Sequence, residues 1–84
     1  MKHAGAEALD QLEDLLAAIR RLGVLQERSR GIFYRRSKAA LHFHEDPAGL
    51  FADLRIAADF ERFPVSTKAD RAALLRRLKE QFTA

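Results

Sequence analysis

A chain of 84 residues with 48% hydrophobic and 32% charged residues belongs to the globular class and has room for one thin core. It contains no cysteine, which excludes disulfide staples and thiolate metal sites. The net charge is +3, and no apolar run approaches the roughly 18–20 residues that cross a bilayer. One domain over residues 1–84 is the expectation, cytoplasmic and without a membrane partner, because the opening Met1-Lys2-His3-Ala4-Gly5-Ala6-Glu7 has no apolar signal segment.

The first predicted element is a helix from about Glu7 to Leu22. Leu9, Leu12, Leu16 and Ile19, flanked by Leu15 and Leu22, recur at i, i+3, i+4 and i+7 and form one buried stripe. Acids fill its first turns and Arg20-Arg21 its last, matching the helix dipole, and Gly23 suits the left-handed position past the end.

Three strands follow a lead-in over residues 24–31: Ile32 to Arg35, Ala39 to Glu45, and Leu50 to Ile56. Arg36-Ser37 joins the first two, and Asp46-Pro47-Ala48-Gly49 carries four-residue turn chemistry between the second and third. Closing the second hairpin at Glu45 opposite Leu50 pairs Phe43 with Ala52, Leu41 with Leu54, His42 with Asp53, and His44 with Phe51. Closing the first at Arg35 opposite Lys38 pairs Tyr34 with Ala39 and Ile32 with Leu41. A one-residue slip would invert every side chain, so agreement on one aliphatic face argues for this register. Residues 60–63 suit a short edge strand. A last helix begins at Ser66 or Thr67, where Thr67-Lys68-Ala69-Asp70 resembles a capping box, and its buried stripe is Ala72, Leu75, Leu78 and Phe82, joined by Leu74. The expected fold is α+β: a two-layer α-β-β-β-α domain, an antiparallel meander with both helices on one face.

In such a fold the outer face of the sheet meets solvent unless residues 24–31 or 57–63 fold across it. It is expected to carry Phe33, Arg35, Ala40, His42, His44, Phe51, Asp53 and Arg55. Phe33, His42, His44, Phe51, Asp53 and Arg55 form the candidate interface or ligand face, since a contiguous patch of aromatic and ionisable groups usually marks one. His42 and His44 project to the same side at i and i+2, and Asp53 lies opposite His42. This set is a weak metal candidate that lacks a fourth ligand, so no metal or cofactor is expected. The plainer arrangement has His42 hydrogen-bonded to Asp53 and His44 stacked on Phe51. No catalytic residue is assigned, because Ser37, Ser66 and Thr67 suit turns and caps and place no nucleophile beside the imidazoles.

The basic residues suggest an alternative. Arg35, Arg36 and Lys38 cluster at the first turn, and Lys68, Arg71 and Arg77 lie on the last helix. The order α-β-β-β-α resembles that of double-stranded-RNA-binding domains, and the resemblance implies that Lys68, Arg71 and Arg77 stand where that family's second helix meets phosphates. Gly31-Ile32-Phe33-Tyr34-Arg35-Arg36-Ser37-Lys38, Leu41-His42-Phe43-His44-Glu45-Asp46-Pro47-Ala48-Gly49 and Ala52-Asp53-Leu54-Arg55 together resemble a group of short bacterial proteins, a likeness that implies no activity. The leading expectation is a non-enzymatic module that binds a second copy of itself or a protein partner through the outer face. A nucleic-acid-binding domain is the alternative, and an acid–base or metal site at His42, His44 and Asp53 is a third.

Overall fold

The Asp46-Pro47-Ala48-Gly49 turn organises the sheet, as its sequence predicts. Asp46 accepts a hydrogen bond from the Ala48 amide through Oδ2 at 3.1 Å, and Gly49 takes φ of 140°, which side chains rarely allow. A Cβ at Gly49 would stand 2.6 Å from Ser66 Oγ, so glycine is required twice over.

The computed structural model describes residues 1–82; the last two residues of the expected domain lie outside the described residues. In chain order the elements are β1 (Lys2–His3), α1 (Ala6–Gln11), α2 (Glu13–Leu22), β2 (Gln26–Ser29), β3 (Ile32–Arg35), β4 (Lys38–Asp46), β5 (Gly49–Ile56), β6 (Asp59–Pro64) and α3 (Lys68–Phe82). Strands β2 to β6 form an antiparallel meander, and β1 pairs with the part of β4 that the shorter β3 leaves free. The α+β class and the meander agree with the sequence reading. The lead-in 24–31 contributes β2, and the edge strand expected over residues 60–63 is β6. Neither segment folds across the outer face; each extends the sheet at an edge.

The first helix bends at Leu12, which separates α1 from α2 with φ of −95° and ψ of 3°. Backbone bonds run through the bend, from Leu12 N to Ala8 O at 3.1 Å and from Leu16 N to Leu12 O at 2.9 Å. Gly23 ends α2 in the left-handed conformation. At the start of α3 the capping box is reciprocal: Asp70 N donates to Thr67 Oγ1 at 3.0 Å, and Thr67 N to Asp70 Oδ2 at 3.3 Å.

The β4–β5 register is the one expected, with Leu41 opposite Leu54, His42 opposite Asp53, Phe43 opposite Ala52, and His44 opposite Phe51. The first hairpin closes at Arg35 opposite Lys38 and Tyr34 opposite Ala39, also as expected, and then departs. Phe33, not Ile32, stands opposite Leu41, because Ala40 is an extra residue at a bulge in β4. Three expected outer-face residues are therefore corrected. Phe33 is fully buried in the core, and Arg35 lies under α3, its guanidinium 4.9 Å from the centre of the Phe82 ring. Ala40, at the bulge, is buried rather than open. The physical reason is area: a phenylalanine buries more apolar surface than an isoleucine, and one bulge exchanges them without moving the turn.

The core lies between the helices and the inner face of the sheet. Leu12, Leu15, Leu16 and Ile19 from the N-terminal helices and Leu74 and Leu78 from α3 meet Phe33, Leu41, Phe43, Ala52 and Leu54 from the sheet. Ile56, Leu75 and Phe82 pack against it half-buried. On α3 the stripe centres on Leu74 and Leu78, while Ala72 is exposed. Arg20 and Arg30 tie the bent helix to the β2–β3 hairpin: Arg30 reaches Asp10 at 2.8 Å and Glu13 at 2.9 Å, and Arg20 joins Glu13 to Glu27.

Candidate functional site

All three histidines of the chain converge on the outer face of the sheet. His42 and His44 reach it from alternate positions of β4. His3 joins them because β1 pairs antiparallel with β4, placing His3 opposite His44. Ring centroids lie 4.6 Å apart for His3 and His44, 5.0 Å for His42 and His44, and 5.7 Å for His3 and His42. One ring nitrogen from each falls within 4.8 Å of the others.

The surroundings of the cluster come from β5 and β6. Asp53, opposite His42, is only 7% exposed, and its carboxylate accepts two hydrogen bonds from Arg62 of β6, at 2.8 and 2.9 Å. That bidentate grip holds the Asp53 carboxyl below its ordinary range against the opposing effect of burial. His44 Nδ1 is 3.2 Å from Asp53 Oδ2, but at an angle that makes no hydrogen bond. His42 Nδ1 is likewise buried and without a partner. Burial is the first cause that lowers the pKa of both His42 and His44; Arg62 and His3 add to it, His44 adds to it at His42, and Asp53 opposes it. Both imidazoles are therefore biased toward the neutral form.

Phe60 of β6 borders the cluster, its ring centroid 4.9 Å from that of His42, with the Arg55 guanidinium 4.5 Å from its own centre. Arg55 also donates to Ala39 O at 2.9 Å and Ala58 O at 3.3 Å. Phe51 is half-buried on the same face and takes no part in the helix-packed core. Of the expected interface residues, the structure thus brings His42, His44, Asp53, Arg55 and Phe51 to one face and removes Phe33 from it. Two expected contacts are replaced. Arg62, not His42, holds the Asp53 carboxylate, and His44 packs against His3 and His42.

His3, Phe60 and Arg62 were not legible as site residues. Arg62 had a signal: running the meander on through a two-residue turn puts it opposite Asp53, as observed. His3 had only its residue type, since a two-residue strand carries no periodicity.

The basic residues divide between two ends of α3. Arg35, Arg36, Lys38, Arg55 and Phe82 line a cleft of about 320 Å³ beside the β3–β4 turn. Lys68 stands at the opposite end of the helix, about 21 Å from Phe82 at 1.5 Å per residue. Arg71 donates to Val65 O at 2.7 Å, Arg77 pairs with Glu61 at 3.8 Å, and Arg35 donates to Val24 O at 3.2 Å. Arg36, Lys38 and Lys68 are exposed. Strands β2 and β6 carry the topology beyond the three strands on which the likeness to double-stranded-RNA-binding domains rests. Ser66 Oγ accepts the Leu50 amide and Thr67 caps α3, so these two hydroxyls serve the backbone.

Among the described residues, no helix is long and apolar enough to cross a membrane. Comparison with protein-family models, curated proteins and solved structures finds no match.

Proposed function

We propose that this protein is a small non-enzymatic binding module that works through the outer face of its sheet and meets a second copy of the chain there. The observation that supports this reading most is the composition of that face. Phe60 is 39% exposed, one of two exposed large hydrophobic residues among those described, and it borders buried imidazole nitrogens that have no partner. Two-fold association presents the same patch to itself, so Phe51 and Phe60 of one copy meet the imidazoles of the other.

Sedimentation equilibrium in EDTA at pH 7.5 tests it, with wild type beside Phe60→Asp. Phe60 sits on an edge strand outside the core, so the variant keeps its fold by circular dichroism. The expected result is a wild-type dimer whose association constant falls at least tenfold in the variant, the loss typical of an interface residue that contributes. A wild-type monomer at millimolar concentration, or a dimer indifferent to Phe60→Asp, contradicts the proposal.

A further inference from the structure

We propose that His3, His42 and His44 form a binding site for one divalent first-row transition metal ion of the zinc class, open to an external fourth ligand. The inference does not depend on self-association, although both readings use the outer face.

Geometry carries it. A tetrahedral zinc ion holds imidazole nitrogens at about 2.0–2.1 Å, which sets the ring centroids of two such ligands about 5 Å apart. The three observed centroid separations, 4.6, 5.0 and 5.7 Å, bracket that value. The ring nitrogens, within 4.8 Å of one another, need to close to about 3.4 Å on a shared ion, a movement that small side-chain rotations supply. The set is complete in its residue type, since the chain's three histidines all contribute and they come from two paired strands of one sheet.

The chemistry of the surroundings agrees. A metal ligand must be a neutral imidazole, and burial biases His42 and His44 toward that form. Asp53 Oδ2 lies 3.2 Å from His44 Nδ1 without the alignment for a hydrogen bond, so a small rotation of the ring would let the carboxylate fix its tautomer and leave Nε2 for the ion. The positive charge of Arg62 opposes a cation, and its bidentate pairing with Asp53 offsets it. Three nitrogen donors select zinc-class ions over magnesium and calcium, which need oxygen ligands. His3 is exposed while His42 and His44 are half-buried, so the fourth position faces solvent.

The test is calorimetric titration of the full, EDTA-stripped and dialysed chain with Zn²⁺, paired with visible spectroscopy of the Co²⁺ form. The expected result is one Zn²⁺ per chain with micromolar or tighter affinity and the intense absorption of tetrahedral Co²⁺. Affinity should fall at least tenfold in each of His3→Ala, His42→Ala and His44→Ala. His3 is exposed and outside the core, so its variant remains folded and keeps the test decisive if the others do not. Affinity no better than millimolar, or Zn²⁺ binding that survives His3→Ala unchanged, overturns the proposal. Running the titration at a concentration where sedimentation in EDTA shows monomer separates this outcome from that of the dimer.

Discussion

At the scale of single residues, the outer face places ionisable groups in surroundings that make stability depend on pH. His42 and His44 resist protonation in the fold, chiefly through burial, with Arg62 and His3 reinforcing and Asp53 opposing. In the unfolded chain they take up protons near 6.5, the ordinary value for histidine. The unfolded state therefore binds more protons just below that pH. The imidazole contribution is fully present above 6.5 and is lost as pH falls toward the lower folded values. Asp53, lowered by Arg62, acts in a second window: its contribution is present above 3.8 and disappears on further acidification. Urea midpoints measured from pH 8 to pH 3 should hold steady, decline below 6.5, and decline again below about 4. A midpoint that rises between pH 7 and 5.5 contradicts this account of the imidazoles. A second residue-scale effect lies in the turns. Ala57 has φ of 57°, a left-handed conformation that costs an L residue roughly 1–2 kcal/mol. Ala57→Gly should stabilise the protein by up to about 1 kcal/mol once the greater freedom of glycine in the unfolded chain is subtracted. Thermal melting checks it, and a destabilised variant shows that the strain is absent.

Elements differ in how far their sequences determine them. The β4–β5 hairpin was legible residue by residue, because a strong Asp-Pro-Ala-Gly turn and an alternating aliphatic face both demand one register. The capping box of α3 and the glycine at the end of α2 were legible for the same reason, local chemistry with one solution. Strand β3 was legible only as far as its turn. Beyond Tyr34 the register depends on whether Ala40 bulges, and nothing in Lys38-Ala39-Ala40-Leu41 announces that it does. Packing decides, by burying Phe33. This gives a sharp contrast between neighbours. Phe33→Ala should cost about 3–5 kcal/mol, the range for a buried phenylalanine. Ile32→Ala, half-buried and outside the core cluster, should cost less than about 1.5 kcal/mol. Equal losses in urea unfolding would restore the register without a bulge. Strand β1 lies at the other extreme, since two residues carry no pattern. It docks by pairing with β4 and through the Gly5 amide on Glu45 Oε2 at 2.7 Å. Because β1 delivers His3, a third of the imidazole cluster was invisible until strand pairing brought it into place.

For the whole molecule, the two layers assign separate tasks to the two faces of the sheet. The inner face and the helices bury the aliphatic residues within a radius of gyration of 11.7 Å, close to the ~12 Å expected of a compact chain this long. The outer face, edged by β1 and β6, carries the imidazoles, Asp53 with Arg62, and Phe51 and Phe60. The exposed basic residues Arg36, Lys38 and Lys68 lie elsewhere, toward the two ends of α3. If those ends bound duplex RNA tightly at physiological salt, Arg36→Glu with Lys68→Glu would abolish a steeply salt-dependent affinity. The expected result is weak, non-specific binding in the wild type, measured by fluorescence anisotropy across a salt series. Tight binding lost in the double variant would move the working surface to α3. The most direct measurement on the outer face is a dilution series of amide and histidine side-chain NMR spectra in EDTA, from millimolar to low micromolar. Self-association through that face predicts concentration-dependent shifts at His42, His44, Phe51, Phe60 and Arg62, with α2 and α3 unchanged. Shifts confined to the helices, or none at any concentration, would contradict it.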